Sequence, residues 1–349
     1  MKSRIVYMAL LFSSVLLSGC PVHQWPEPKR PALMLNLHYE PDLWLWEHNY
    51  DPVTGLVEEL HPEWGVDDEH PGTTERYSGR LNRGTMRYVV HAYRDGNWND
   101  CVLEQTFTRD ISEGYDCTLP LLLDDGYYEI VVWSDLVENE SDSPMYDASD
   151  FMSIKLLYAD YHANTDYRDG YRGSISETLV NPRSSRETVE WDVTMRRPMA
   201  KYEFVTTDLS EFLDKETARL RLPTRANMED YRVQIFYTGY LPCAYSAMEN
   251  RLEYATPGVW YESVMTLRGD SDATLGFDYV FINDINNASI LVQIAVSDMQ
   301  GTRVAQSNPI ELPLRRDHHT LLRGAFLLLN TDGGVNIDPD YDGDHNVIY

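Results

Sequence analysis

Residues 188–206 have the sequence TVEWDVTMRRPMAKYEFVT, and this stretch decides the fold class. Apolar and polar side chains alternate from Thr188 to Met195, which predicts a strand with one face against a core. Arg196-Arg197-Pro198 ends that pattern, because proline fixes its own φ and donates no hydrogen bond to a ladder. A second strand is predicted over Met199–Thr206, so two β units meet near residue 197.

Strands of similar length are predicted on both sides of this junction. In the first half they cover Ala32–Tyr39, Met86–Arg94, Cys101–Thr108, Asp116–Leu123 and Tyr127–Ser134. In the second half they cover Tyr231–Thr238, Val259–Leu267, Leu275–Ile282, Ser289–Asp298 and Thr320–Leu329. Many short strands with turns between them favour sandwiches or barrels. The sequence therefore predicts an all-β chain with two tandem β domains, residues 32–197 and 198–349.

Three segments depart from the simple series of strands. Asp125-Gly126 is typical of a type I′ turn, so we expect the strands on either side of it to pair as a hairpin. Residues 40–84 are rich in Pro, Gly, Asp, Glu and His, which predicts a long surface insertion. Asp208–Glu216 has a helical pattern, with Asp208 as the N-cap and Glu211 as its capping-box partner.

The first 31 residues have the pattern of a bacterial lipoprotein leader. Lys2 and Arg4 precede an apolar run, Ile5–Leu17, whose length of about 13 residues suits a signal peptide and is too short to span a bilayer. The run ends in LSGC, a lipobox, so residues 1–19 are predicted to be removed and Cys20 to be lipidated. Residues 20–31 would then form a proline-rich tether. An ordinary cleaved signal with a coincidental cysteine is the alternative.

The composition argues against several classes of partner and reaction. The chain has 56 Asp and Glu against 29 Lys and Arg, a formal net charge of −27. Phosphates attract the opposite sign, so nucleic acid is not expected as a partner. The sequence contains no H-E-x-x-H, G-x-S-x-G, G-x-G-x-x-G or P-loop motif, and no carboxylate pair stands out by its spacing. We therefore expect a protein that is not an enzyme and that uses no cofactor.

The C-terminal aspartates form the sharpest metal motif. Asp338, Asp340, Asp342 and Asp344 surround a glycine, as in the first half of an EF-hand loop that wraps oxygen ligands around calcium. Position 12 of that loop is Tyr349 rather than Glu, and no helical pattern flanks it, so a solvated acidic tail is the competing interpretation. The sequence predicts no metal site beyond this weak calcium candidate.

The cysteines after Cys20 give one candidate disulfide. Cys101 and Cys117 lie in two successive predicted strands, which we expect to be adjacent. A bridge there would contribute about 3 kcal/mol through the entropy of the unfolded chain. Two unpaired thiols are the alternative. Cys243 is expected to be a buried free thiol, and the absence of a C-x-x-C pair gives zinc no support.

Two further groups could bind ligands, but each has a structural explanation. His318 and His319 are neighbours at the start of a predicted strand, so their side chains would point to opposite faces rather than to one metal. Four tryptophans could stack on a glycan, although aromatic residues in sandwich proteins more often pack in the core or in loops. They are Trp44, Trp46, Trp64 and Trp98.

Five segments together resemble the fimbrial anchor and minor-fimbrilin lipoproteins of Bacteroidales-type bacteria. They are residues 20–28 (CPVHQWPEP), 126–135 (GYYEIVVWSD), 197–204 (RPMAKYEF), 314–324 (LRRDHHTLLRG) and 333–343 (GGVNIDPDYDG). The resemblance implies two transthyretin-like sandwiches on a lipid anchor in the outer membrane, exposed at the cell surface. It also implies a non-enzymatic anchor or minor subunit of a fimbrium, joined to other fimbrial subunits by β-strand exchange.

Two other functions stay open from the sequence. One is a glycan-binding lipoprotein of the outer membrane that serves nutrient uptake, and the other is a hydrolase without a recognisable signature.

The run Leu321–Leu329 is the most apolar segment after the leader and suits a buried strand. Its place would be either in the protein's own sheet or in the groove of a neighbouring subunit, because such a segment left in water would aggregate.

Overall fold

The computed structural model describes residues 33–60, 76–77, 81–140, 142–157, 161–180, 188–269, 271–283 and 288–329. Within these ranges the chain is built mainly from β-strands arranged in packed sheets, so the predicted all-β sandwich class is confirmed. Cys20, the proline-rich tether, Trp64 and the four aspartates of the calcium candidate lie outside the described residues.

The strands are, in chain order, β1 (Leu33–Tyr39), β2 (Leu43–Tyr50), β3 (Val57–Glu59), β4 (Arg76–Tyr77), β5 (Thr85–Arg94), β6 (Cys101–Asp110), β7 (Cys117–Leu121), β8 (Gly126–Val137), β9 (Tyr146–Asp147), β10 (Ile154–Leu156), β11 (Gly170–Leu179), β12 (Val189–Met195), β13 (Met199–Thr206), β14 (Tyr231–Tyr237), β15 (Leu241–Ser246), β16 (Arg251–Thr256), β17 (Trp260–Ser263), β18 (Thr266–Arg268), β19 (Asp272–Phe281), β20 (Ala288–Asp298), β21 (Arg303–Gln306), β22 (Ile310–Leu314) and β23 (His318–Gly324). A helix, α1, spans Leu209–Leu220, and 3₁₀ turns span Ile111–Glu113, Asp166–Arg168 and Met228–Asp230. No helix in the described ranges has the length and apolarity needed to cross a membrane.

The first sandwich packs a three-stranded sheet on a four-stranded sheet. The strand order is β12-β1-β7 in the first sheet and β11-β8-β5-β6 in the second. Alternate side chains of both sheets meet in one apolar core, among them Leu35, Val90 and Ile130, which are fully buried. Burying each such side chain contributes about 1.5–3 kcal/mol, so this core holds the two sheets together.

The second sandwich has the larger sheets. One has the order β18-β19-β13-β23-β2-β3, with β4 also paired to β2, and the other has the order β17-β14-β20-β21, with β22 also paired to β20. Phe204, Val233 and Ile294 represent the core between them. Helix α1 adds Leu209 and Phe212 to the same core, since its apolar residues recur at helical spacing.

A third apolar core connects the two sandwiches. Strand β8 is buried on both faces, because Ile130 faces the first core and Trp133 faces the third. A small sheet of order β16-β15-β10-β9 lies on the other side of this third core. The ring of Phe281 from β19 lies 6.3 Å from that of Trp133 and 5.5 Å from that of Tyr245, measured between centroids. The contact between the sandwiches is therefore aromatic and closely packed.

The hairpin expected at Asp125-Gly126 is wrong. β7 pairs with β1, whereas β8 pairs with β5 and β11, so the two strands belong to opposite sheets of the first sandwich. Neither residue of the dipeptide has the positive φ that a type I′ turn requires. Asp125-Gly126 instead connects an edge strand of one sheet to an inner strand of the other.

The segment 40–84 is more than the surface insertion that its composition predicts. Leu43–Tyr50 forms β2, which runs parallel to β23 with Trp44 opposite His318. Leu43 and Trp46 are buried. The division into domains 32–197 and 198–349 stays a prediction. The pairing of β2 with β23 shows, however, that a strand from the first half of the chain lies in a sheet of the second sandwich.

The predicted helix is present, but its capping box is wrong. Asp208 stands at the N-cap of α1 without a side-chain cap hydrogen bond, and Glu211 is exposed. The Asp208 carboxylate instead accepts hydrogen bonds from the backbone N–H groups of Leu327, at 3.1 Å, and Leu328, at 2.8 Å. Asp208 therefore fastens the segment after β23 to the start of the helix.

We expect Asp208→Ala to lower the free energy of unfolding by about 1–3 kcal/mol, because two backbone donors would lose a charged acceptor. Glu211→Ala is the matched control, since it removes the carboxylate of the supposed capping box and should change stability far less. Urea unfolding of both variants measures the difference. Equal losses in the two variants would restore the capping-box interpretation.

Candidate functional site

The first described strand occupies the middle of a sheet. β1 lies between β12, which it meets in parallel with Leu33 opposite Val189, and β7, which it meets in antiparallel. Its inward residues Leu33, Leu35 and Leu37 are fully buried in the first core. A strand in this position is hydrogen-bonded to a neighbouring strand on each side, so its removal would leave two open sheet edges and an apolar groove.

The last described strand has the same kind of position in the second sandwich. β23 lies between β13 and β2 and is parallel to both. Its residues Leu321 and Leu322 are buried. Beyond the strand, the ring of Phe326 stacks on that of Tyr50 at 5.1 Å between centroids, and Leu327 is buried as well. The apolar run predicted over Leu321–Leu329 is therefore covered by the protein's own second sandwich.

Arg197, at the junction, is hydrogen-bonded to the segment that leaves β1. Its side chain is 0% exposed, and its Nη1 and Nη2 atoms donate to the carbonyls of Glu40, at 3.2 Å, and Pro41, at 2.5 Å. Nε and Nη2 also donate to the Asp169 carboxylate, both at 2.8 Å to the nearer oxygen. Nη1 lies 3.7 Å from the carboxylate of Asp317, immediately before β23. One guanidinium thus contacts the segment that follows the first described strand and the residue that precedes the last one.

The charge of Arg197 is maintained despite its burial. Burial alone would lower the pKa of Arg197, but Asp169 and Tyr171 raise it well above its ordinary value. The Tyr171 hydroxyl donates to Asp169 at 2.8 Å and accepts from Arg197 at 2.6 Å. We call Arg197, Asp169, Tyr171 and Asp317 the junction cluster. It is a charge-assisted network whose donors and acceptors satisfy one another in the interior.

Arg168 extends this network into the second sandwich. It precedes Asp169 directly, and its Nη2 lies 3.4 Å from the buried carboxylate of Asp278 while it donates to the carbonyl of Tyr279 at 3.1 Å. Tyr237 donates to Asp278 at 2.6 Å, and Tyr161 donates to the same carboxylate. The adjacent residues Arg168 and Asp169 therefore contact β19 and Arg197, respectively. These contacts fix the position of one sandwich relative to the other.

Sequence patterns found the junction but not the role of Arg197. The sequence predicts a break at Arg196-Arg197-Pro198, and β12 ends at Met195. The alternation of β12 nevertheless continues for two more residues, because Met195 is buried, Arg196 is exposed and Arg197 is buried. That continued alternation is the signal that could have placed Arg197 inside.

The strands β2 and β23 also carry buried histidines. His319 Nε2 lies 3.1 Å from Glu203 Oε2, and burial lowers the pKa of His319 despite this contact. Burial alone would raise the pKa of Glu203, but His319 and neighbouring donors lower it to about 2. His48 on β2 is 4% exposed, and burial, followed by the positive charge of Arg315, lowers its pKa to about 4.

The pKa of His48 predicts a loss of stability in acid. The folded value of about 4 is below the unfolded value of 6.5, so the full contribution is present above pH 6.5 and disappears as the pH falls toward 4. Between pH 7.5 and 5 this loss is about 2 kcal/mol. Urea unfolding measures the free energy of unfolding at the two pH values. The difference between these values should be smaller by about 2 kcal/mol in His48→Gln than in the wild type.

His162→Gln provides the control for this pH effect, because His162 is an exposed histidine of the same chain. This variant should keep the wild-type difference between the two pH values. If His48→Gln also keeps it, His48 is not the group responsible.

The expected adjacency of the strands that carry Cys101 and Cys117 is wrong. β6 is an edge strand paired with β5, and β7 is an edge strand of the other sheet, paired with β1. All three described cysteines are free thiols, with Cys101 exposed and Cys243 buried, so the candidate disulfide is not formed. Burial raises the pKa of the Cys243 thiol, as expected for an inert side chain.

The other candidate ligand groups are not brought together. Trp46 is buried under the guanidinium of Arg315, at 4.0 Å, whereas Trp98 is 41% exposed in the first sandwich and donates to Glu129. The tryptophans whose side chains are described therefore form no common stacking surface. In the described part of the chain, no three His, Cys, Asp or Glu residues are placed to hold a metal ion.

The fold and the junction cluster define a class of protein: an all-β chain of packed sandwiches whose first and last described strands hold inner positions in its sheets. The chain belongs to the family of unknown function DUF6562, which matches residues 66–348. No curated protein matches it.

Solved structures that are similar to this chain include two fimbrial proteins. The fimbrial anchor protein Mfa2 from Porphyromonas gingivalis has 10% sequence identity, with 79% of this chain and 81% of that chain covered and a TM-score of 0.38. A fimbrial assembly protein from Parabacteroides distasonis has 12% identity, with 81% and 90% covered and a TM-score of 0.34. At these values the likeness carries no argument about function.

Proposed function

We propose that this chain is a non-enzymatic lipoprotein of the cell surface that anchors a fimbrium or forms a minor subunit of it, joined to other subunits by β-strand exchange. The lipobox before Cys20 supports the anchor, because acyl chains on that cysteine would hold the chain at the outer membrane. The proline-rich residues 20–31 would then separate the first sandwich from the lipid surface.

The observation that carries this proposal is the position of β1. In strand exchange, a segment of one subunit completes a sheet of another through main-chain hydrogen bonds and fills pockets with alternate side chains. β1 begins directly after the proposed tether, has a partner strand on each side, and buries Leu33, Leu35 and Leu37 in the core. An equivalent strand from a neighbouring subunit would fit the same groove.

A peptide-capture experiment tests the exchange. A chain without residues 32–39 should bind a labelled peptide of those residues, and the same peptide with Leu35→Asp should not bind, because a charge cannot enter the apolar groove without a large cost. Equal binding of the two peptides, or no binding of either, would contradict strand exchange at this site.

Deletion of the whole chain from a fimbriated cell tests the anchoring role. The expected result is that fimbriae are released into the medium. The glycan-uptake alternative predicts a different result: fimbriae stay attached, and the purified chain binds polysaccharide rather than fimbrial subunits.

We expect Cys20→Ala to release the protein from the membrane fraction, because the acyl chains are attached to the thiol of this cysteine. Cell fractionation with a carbonate wash measures the distribution. Cys243→Ala, which removes a buried cysteine, is the control and should leave the protein with the membrane. If Cys20→Ala also remains with the membrane after the wash, the lipid anchor is refuted.

A further inference from the structure

A cavity of about 350 Å³ lies beside the junction cluster, between the two sandwiches. Residues of β11 and β12, the 196–198 junction, the turn after β15 and the turn before β23 line it. Among the described residues that line it, the charged side chains are those of Arg172, Arg196, Arg197, Arg316 and Asp317. Acidic residues outnumber basic ones almost two to one in the whole chain. The lining therefore has the opposite charge to the rest of the molecule.

The junction cluster accounts for part of this charge but not for all of it. Arg197 is paired with Asp169, and Asp317 lies 3.7 Å from Arg197, so these charges offset one another. Arg172 and Arg196 have no carboxylate within 4.0 Å among the residues that the structure describes. Two positive charges thus line the cavity without a direct ion pair in the described ranges, and the carboxylates of Glu129 and Asp317 act on Arg172 and Arg196 only from a longer distance.

Backbone geometry holds these two arginines side by side. Arg172 N donates to Arg196 O at 2.8 Å, and Arg196 N donates to Arg172 O at 2.9 Å. This exchange of hydrogen bonds makes them a directly opposed antiparallel pair, whose side chains leave the same face of the sheet. Nε of Arg172 donates to Ala247 O at 2.8 Å, which holds this side chain in place at the cavity lining.

Arg316 contributes a third positive charge from the second sandwich. It is held by hydrogen bonds to Asn250 Oδ1, at 3.0 Å, and Ile282 O, at 3.1 Å. Burial lowers the pKa of Arg172, Tyr245 and Glu129 raise it in part, and the charge of Arg316 lowers it further. Like charges are therefore close enough to repel one another, which an anion between them would relieve. Ser174 and Thr194 at the lining are exposed, so the cavity opens to solvent.

We propose that this cavity binds an oxyanion, a carboxylate, sulfate or phosphate group of a small molecule, between Arg172 and Arg196, with Arg316 behind them. Guanidinium groups bind such oxygens through paired N–H donors, and a cleft lined by one sign of charge concentrates ions of the opposite sign. The volume is within the range of small-molecule sites, at the lower end of about 300–1,000 Å³. This site does not depend on the proposed fimbrial role.

Ligand titration of the full chain tests the site. Thermal unfolding is followed while sulfate, phosphate or glucuronate is added, with sodium chloride keeping the ionic strength constant and glucose as the neutral counterpart of glucuronate. The expected result is a saturable rise in Tm with at least one oxyanion and none with glucose. A rise with glucuronate alone would indicate a sugar acid, and a rise with sulfate or phosphate would indicate the tetrahedral ions.

Matched arginine variants show whether the effect comes from this cavity. Arg172→Gln and Arg196→Gln should each weaken the affinity about tenfold or more, as loss of a charged hydrogen bond does. Arg225→Gln, which removes an exposed arginine paired with Asp214, should bind as the wild type does. Arg196 is exposed, so its variant is expected to fold even if Arg172→Gln is destabilised. No saturable response, or the same affinity in Arg196→Gln and wild type, would overturn the proposal.

Discussion

Replacing Arg197 with alanine is expected to lower the free energy of unfolding by about 3–5 kcal/mol, the usual effect of removing one partner of a buried ion pair. The carboxylate of Asp169 would remain in the interior without its counter-charge. The carbonyls of Glu40 and Pro41 would also lose their donors, so the segment between β1 and β2 would be released. Chemical denaturation measures the loss, and fluorescence of the buried Trp133 reports on the contact between the sandwiches.

Two further variants separate the ion pair from a general effect of losing an arginine. Arg225→Ala breaks an exposed pair, in which Arg225 is 49% exposed, and should cost about 1 kcal/mol or less. A double variant, Arg197→Met with Asp169→Leu, removes both charges and should regain part of the loss, since no uncompensated charge stays buried. If Arg197→Ala unfolds at the same denaturant concentration as Arg225→Ala, the junction cluster does not hold this region together.

Local alternation predicts strands well where one face is buried and the other is wet. In β12 buried and exposed residues alternate, and its predicted bounds differ from the observed ones by one residue. Met199–Thr206 has the same bounds in the prediction and in β13 although all eight residues are buried, because Pro198 marks where the strand begins. β8 is less well predicted, because it extends to Val137 and is buried on both faces. A strand of that kind has a continuous apolar sequence, so its end cannot be found from alternation.

The partners of each strand could not be predicted, since pairing depends on residues far apart in the chain. β2 follows β1 closely in sequence but pairs with β23, which lies about 270 residues later. The same limit hid the junction cluster. Alternation can place Arg197 inside, but its acceptors Glu40 and Pro41 precede it by 157 and 156 residues. A charged residue in a buried strand position, next to a predicted junction, is the feature that would justify a search for such partners.

Ending the chain at His319 is expected to unfold the second sandwich. This truncation removes Thr320–Gly324, most of a strand that is hydrogen-bonded to β13 on one side and to β2 on the other. It also removes the buried side chains of Leu321, Leu322, Phe326 and Leu327. Loss of each large apolar side chain from a core costs about 2–5 kcal/mol, and a whole domain has only about 5–15 kcal/mol of stability. The sum exceeds what the sandwich can lose.

A second truncation, ending at Asn330, is the matched control for this prediction. It keeps β23, the stacking of Phe326 on Tyr50 and the hydrogen bonds from Leu327 and Leu328 to Asp208, so its Tm should remain close to that of the full chain. A peptide of residues 318–330 added to the chain that ends at His319 should restore part of the β-type circular dichroism, because it offers the missing strand to two open edges. Equal Tm values for the two truncated chains would show that β23 is dispensable for the stability of the second sandwich. The inner position of this strand would then give no support to a role in connecting subunits.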